Sequence, residues 1–233
     1  MQTFTRPTFY TRLDRPSDEA NVYSTLVLTS AGKHYVDVRV FLTTSPHESQ
    51  KLEWGFAGTS QSAPPQFDKD NKLVKPGHSK WNHWVDNKTV EEVQDEGYMY
   101  PIEGSNEVRE TGSMAHPETG KTTPYEEIWI DLEVVKVGEK GKYASWVMKH
   151  EDSSSHTRGM LCRIGEWVQG VLRIGDEISV VRYKWDTEHS QWQLKLSMGR
   201  FDMPRDVVLE TDRELSVGEE FGDWIVVESL YWL

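Results

Sequence analysis

One cysteine, Cys162, stands in a chain of 233 residues, so neither an intramolecular disulfide nor a cysteine zinc cluster can form. Positive charge is also scarce: 26 Lys and Arg face 38 Asp and Glu, a formal net charge of -12. A general nucleic-acid binder or a ligand of anionic membranes needs a basic surface, so neither is expected as a partner; a small anionic ligand in a local basic pocket is still compatible. No apolar run approaches the roughly 20 residues that span a bilayer. The N-terminal stretch MQTFTRPTFYTRLDRPSDE lacks the apolar centre of a secretory signal, and a cytoplasmic protein is expected.

Other signatures are missing too. Helical periodicity does not persist over any dozen residues, although 89–96 could make one or two turns. The eight histidines show no HxH or HxxxH spacing, and His78 and His83 straddle a loop-to-strand junction, so no metal is expected. There is no phosphate loop, GxGxxG or GxSxG, so no cofactor is expected either. Cys162 lies in an apolar strand without an adjacent base and reads as an inert buried thiol.

What the chain does have is ten tryptophans spread over many short β-type runs. The densest stretch, 159–200, contains three such runs with Trp167, Trp185 and Trp192 inside them. Trp192, Leu194, Leu196 and Met198 alternate with polar residues, the period-two pattern of a strand with one buried face. Earlier, 23–29 and 34–42 flank Ser30-Ala31-Gly32-Lys33, a hairpin signal. Val36, Val38, Val40 and Leu42 alternate with Asp37, Arg39 and Phe41, which predicts a valine face pointing into the domain. Residues 52–58 form a short strand with glycine bends, and 59–80 reads as a long Pro-containing loop, a lid or binding loop. Short strands at regular spacing predict an all-β protein of two consecutive lipocalin-like antiparallel barrels with little helix. A weak echo between Trp81–Asp86 and Val181–Asp186 fits a duplicated barrel. The expected division is 1–114 for the first barrel with a polar arm over 1–20, 115–124 as linker, and 125–233 for the second barrel.

Aromatic side chains in a barrel either fill it or line a ligand cup. Candidate cup residues are Trp54, Trp81, Trp84, Tyr100, Trp129 and Trp167, joined by Tyr183, Trp185 and Trp192. Candidates for proton transfer or anion binding are His83, Tyr98 and Arg182. Alternation puts His83 on the face of Trp81 and Val85; a solvent-facing His is the simpler alternative. Arg163 and Arg182 lie in apolar strands and must find partners or ligands. Of Glu126 and Glu127, one must point inward in a regular strand, either to pair with an arginine or to serve as an acid.

The ordered motifs LEWGFAGT (52–59), WVD (84–86), DEG (95–97), YEEIW (125–129), GEWVQG (165–170), SMGR (197–200) and GDWIVVE (222–228) resemble the fungal HRI family. The resemblance runs from about residue 25 to the end. It implies two lipocalin-like barrels in a cytoplasmic and nuclear protein, in a family first noticed as kinase partners. The chain also resembles fungal proteins of tropolone-sesquiterpenoid pathways that act as hetero-Diels–Alderases, although no catalytic residue is carried over from them. That resemblance implies a cofactor-free pericyclase joining a tropolone quinone methide to a humulene-type terpene in an aromatic barrel. The competing reading is a non-catalytic binding protein that presents its acidic surface to a kinase. Oligomeric state is not legible from the chain.

Overall fold

Period-two runs rich in Val, Ile, Tyr and Trp favour a pleated, half-buried backbone, and most of the described residues adopt one. The structure, a computed structural model, describes residues 10–14, 23–42, 50–115, 121–138 and 141–232. The strands of the first half are β1 (Tyr10–Asp14), β2 (Tyr23–Thr29), β3 (His34–Phe41), β4 (Leu52–Ala63), β5 (Gln66–Phe67), β6 (Leu73–Lys75), β7 (Gly77–Asp86), β8 (Val93–Pro101), β9 (Glu107–Ala115) and β10 (Thr122–Leu132). Those of the second are β11 (Tyr143–Asp152), β12 (Thr157–Ile164), β13 (Trp167–Ile174), β14 (Glu177–Asp186), β15 (Gln191–Met198), β16 (Glu220–Phe221) and β17 (Trp224–Trp232). Among the described residues there is a single short helix, α1 (Arg205–Leu209), between β15 and β16. The all-β expectation holds.

The first unit is a closed antiparallel barrel in the order β1-β10-β9-β8-β7-β4-β3-β2. The second is a barrel-like sheet of seven strands in the order β15-β14-β13-β12-β11-β17-β16. Its own core contains Trp146, Met148, Leu161, Leu172 and Trp224 beneath Val207 and Val208 of α1. These side chains pack on one another, and a crevice of about 10 Å³ lies beside Arg163.

Three expectations change. Residues 10–14 were assigned to a polar arm but form β1, which pairs with both β2 and β10; the rest of the arm lies outside the described residues. The run after the expected 115–124 linker is β10, which pairs with β9 and closes the first barrel, so the break between units falls after Leu132. Residues 116–120 of that linker lie outside the described ones. The predicted loop at 59–80 is mostly strand: β4 continues to Ala63, β5 and β6 form a small hairpin, and β7 begins at Gly77. Serines and glutamines extend these strands because ladder pairing uses the backbone, whatever the side chains.

The largest surprise is the direction of the valine face. Val36, Val38 and Val40 are buried, but on the outside of the barrel. There they meet Leu26, Leu28, Ala57 and Val85 of the same barrel, and Val147, Cys162, Val171 and Val180 of the second sheet. One apolar layer therefore joins the two units. Leu42, expected on the same face, is 51% exposed.

Polar groups pin this layer. Gln169, fully buried on β13, donates to the carbonyls of Leu26 (2.7 Å) and Val36 (3.0 Å) and accepts from Arg182 Nε at 2.6 Å. Arg182 donates onward to the Val38 carbonyl at 2.8 Å. At another edge Glu228 of β17 accepts from Ser30 Oγ, Gly32 N and His34 Nδ1 at 2.5, 2.7 and 3.0 Å. Arg173 of β13 donates to the carbonyls of Asp86 and Thr89.

Replacing Gln169 by Ala would take one hydrogen-bond partner from the buried Arg182 guanidinium and one from each of two barrel carbonyls. The expected loss is about 3 kcal/mol or more in urea unfolding. Because both units share one apolar layer, they should unfold in a single transition; separate transitions by tryptophan fluorescence and far-UV circular dichroism would contradict the shared core.

Candidate small-molecule site in the first barrel

A barrel of eight strands usually has just enough interior for its own side chains. Here two inward positions carry none. Gly97 of β8 and Gly112 of β9 are direct partners across the ladder. A Cβ at Gly112 would lie 2.5 Å from the Tyr125 ring, and one at Gly97 would lie 2.7 Å from Glu110 Oε1. The bare backbone lets Tyr125 and Glu110 lie flat against the wall. A cavity of about 380 Å³ remains, within the range of small-molecule sites. Ser62, Pro64 and Pro65 border it where β4 leaves the barrel.

The valine face of β3 sends its opposite face, Tyr35, Asp37 and Arg39, into this cavity. Arg39 is held at 3.0 Å from Asp37 Oδ2 and 2.5 Å from Glu127 Oε1. Its guanidinium carbon lies 5.5 Å from the Trp54 ring centroid and 5.8 Å from those of Phe56 and Trp129, so aromatic faces surround the cation. Glu127 is thus the inward member of the Glu126–Glu127 pair and finds an arginine; Glu126 faces Arg109 outside. Glu110 accepts from Tyr125 Oη and Trp129 Nε1, both at 2.8 Å.

Too many carboxyl groups crowd this wall for all to ionise cheaply. Burial, reinforced by the neighbouring Glu127 charge, pushes Glu110 up to about 7, against the pull of its two donors and of Arg39. Burial raises Asp37 to about 6 even though Arg39 is its partner, because that one guanidinium also serves Glu127. Burial and the adjacent Glu110 raise Tyr125, which stays a neutral donor.

His83 is reached through an irregularity. Gly58 pairs with His83 and Ala57 with Val85, so Trp84 is an extra residue in β7 and forms a β-bulge. The bulge reverses the face parity assumed from strict alternation. Asp86 joins His83 on the inner side, whereas Val85 turns out to the apolar layer between the units. His83 Nδ1 lies 2.7 Å from Asp86 Oδ2, and Nε2 is 3.1 Å from Asp95 Oδ2 but off the line of a good hydrogen bond. The ring stacks on Phe56 at 4.3 Å, and Trp54 Nε1 donates to the second oxygen of Asp86 at 2.9 Å. Burial lowers the His83 pKa, but the two aspartates outweigh it and leave it raised.

Of the residues singled out in the sequence, Trp54, Trp81, Trp129, His83 and Glu127 meet at this cavity. The others do not. Tyr98 is 49% exposed on the outer face of β8, beside His78, and Tyr100, on the same outer face, has Arg109 over its ring. Trp84 lies under Lys149 and Arg158 at the boundary of the units, and Trp167 packs on the shared apolar layer. Arg182 serves that layer and the barrel carbonyls, and Tyr183 is buried in the second core. Trp185 and Trp192 form an edge-to-face pair on the β14–β15 hairpin, with Trp192 Nε1 donating to Thr211. The cavity also gathers Asp37, Arg39, Glu110 and Tyr125, which sequence reasoning passed over. A signal existed for two of them: Asp37 and Arg39 alternate with valines, so both faces of β3 had to be accounted for. Among the described residues, no group of three or more His, Cys, Asp and Glu is placed to hold a metal ion. No helix among them is long and apolar enough to cross a membrane.

The fold and cavity define an all-β protein of two barrel-like units with a small-molecule-sized site in the first. Residues 7–228 match the family described as "Protein HRI1", and the chain belongs to that family. The chain is similar in structure to an uncharacterized protein of Saccharomyces cerevisiae, with a TM-score of 0.69 at 20% identity, covering 95% of this chain and 98% of the other. No curated protein matches the chain.

The carboxyl cluster has a measurable consequence. With Glu110 and Asp37 raised, the folded state binds more protons than the unfolded state between about pH 4 and pH 7, so this cluster's contribution to stability falls as pH rises through that window. Glu110→Gln removes the Glu110 share. Its stability relative to the unaltered protein should therefore improve from pH 5 to pH 8 in urea titrations; a pH-independent difference would show that Glu110 does not hold its proton. Separately, Gly112→Ala should cost about 1–3 kcal/mol by displacing the Tyr125 ring, and should weaken any ligand of the cavity.

Proposed function

We propose that the first barrel binds a small apolar molecule bearing oxygen groups and acts on it through acid–base chemistry of its own side chains. The observation that carries this reading is the position of the Glu110 carboxyl, buried on the wall of an aromatic cavity of about 380 Å³ between Tyr125 and Trp129, where burial raises its pKa to about 7. The reaction we assign is dehydration of a hydroxymethyl-tropolone to a quinone methide, followed by hetero-Diels–Alder addition to a humulene-type alkene. The chain's resemblance to fungal hetero-Diels–Alderases suggests the reaction, and the cavity supplies what it needs.

The Glu110 carboxyl protonates the hydroxyl that leaves, the carbon–oxygen bond breaks, and water departs. The tropolone hydroxyl then gives its proton to the Glu110 carboxylate, which restores the acid and leaves the neutral quinone methide. Arg39, fixed by Asp37 and Glu127, faces the same space and can polarise a ring oxygen. The rings of Trp54, Trp81 and Trp129 hold the alkene against the diene, so orientation and exclusion of water lower the barrier of the second step.

The test is a reaction of the purified protein with the hydroxymethyl precursor and humulenol, read as product yield and stereochemistry. Glu110→Gln should slow conversion by about 10²–10⁴-fold with the hydroxymethyl precursor, but far less when preformed quinone methide is supplied. Unchanged yield and stereochemistry with the unaltered protein would sink the enzymatic reading and favour the binding-protein alternative.

A further inference from the structure

We infer that this cavity selects organic cations: its ligands carry a positively charged or strongly electron-poor centre seated among aromatic faces, and anions are disfavoured. The inference rests on the small-molecule reading above and names the charge class of what the site takes.

Among the described residues, the wall carries five carboxyl side chains, from Asp37, Asp95, Glu110, Glu127 and Asp131, against Lys33, Arg39 and His83. Both buried cations are already enclosed by acids, Arg39 between Asp37 and Glu127 and His83 between Asp86 and Asp95. An incoming carboxylate would thus meet buried cations whose charge is already matched, inside a wall whose described residues carry more carboxyl groups than cations. Asp37 makes the surplus concrete. It is 3% exposed and lines the cavity, yet its Oδ1 has no hydrogen-bond partner. A buried acceptor without a donor is costly, and positive charge placed nearby relieves it.

The rings point the same way. Trp54, Phe56 and Trp129 already present their faces to one cation, the Arg39 guanidinium. Aromatic faces backed by carboxylates are the usual means of recognising quaternary ammonium groups. They also suit the dehydration proposed above, because positive charge develops on the methylene carbon as water leaves.

Glu110 ties the idea to a proton. Its surroundings are Glu127, Tyr125 and Trp129 from β10 and Arg39 from β3, with Asp37 beyond the guanidinium and Asp95 facing Tyr125 from β8. A bound cation favours the ionised carboxylate, so binding should release a proton near neutrality.

The experiment titrates the full-length protein with phenyltrimethylammonium, the neutral isostere tert-butylbenzene and benzoate, following tryptophan fluorescence at pH 6 and pH 8. None of these probes titrates in that range. The cation should bind tightest, by about tenfold over benzoate, and its affinity should rise from pH 6 to pH 8. In Glu110→Gln that rise should flatten, while the neutral probe changes little in either protein. Tightest binding of benzoate, equal binding of all three probes, or binding of none would overturn the inference. Turnover of the hydroxymethyl precursor without cation binding would remove the charge preference and leave the reaction standing; cation binding without turnover would do the reverse.

Discussion

Everything about the site depends on the apolar layer that joins the two units. Strand side chains alternate, so one face of β3 determines what the other face must do. Val36, Val38 and Val40 leave water by packing outward on β12, β13 and β14. Tyr35, Asp37 and Arg39 must then point into the barrel, where a separate barrel would hold its own apolar core. The second unit acts as an external core for the first, and the first barrel's interior becomes available for polar chemistry. Gln169 and Arg182 fix the register of this contact by bonding to the backbone of β2 and β3, so a slip of either sheet would leave several buried groups unpaired.

The interior then faces the problem of buried charge. An isolated ion there would be prohibitively costly, and the structure answers with ion pairs, indole and phenol donors, and retained protons. Arg39 is shared by two carboxylates, and Glu110 is held by Tyr125 and Trp129. The paired glycines at 97 and 112 make room for these side chains against the wall without filling the centre. Burial raises the pKa of two of the carboxyl groups around this cavity, Glu110 and Asp37. The second unit shows the opposite solution: its core is packed with Trp, Leu, Met and Val.

The tryptophans divide along the same line. Trp54, Trp81 and Trp129 line the cavity, and Trp146 and Trp224 fill the second core. Trp84 and Trp167 belong to neither. They cover the boundary between units, each with a cation over its ring, in the position of hydrophobic side chains at the rim of an interface. Of the seven tryptophans expected to line a cup, three reach the cavity. The sequence pattern of an inward strand is the same whether that face meets a cavity, a core or another domain.

Short alternating runs, turn residues and the lack of helical periodicity were enough to determine an all-β chain with two antiparallel units, because strand formation is decided by local pattern. That one of Glu126 and Glu127 must face inward was also legible from alternation, but not which one. Tertiary structure alone decided which side of each strand faces inside. A single extra residue at Trp84 reversed the parity of β7 and delivered Asp86 to His83, and the docking of the second sheet turned the valines of β3 outward. Burial depends on what lies across from a face, and the chain folds that partner from residues more than a hundred positions away.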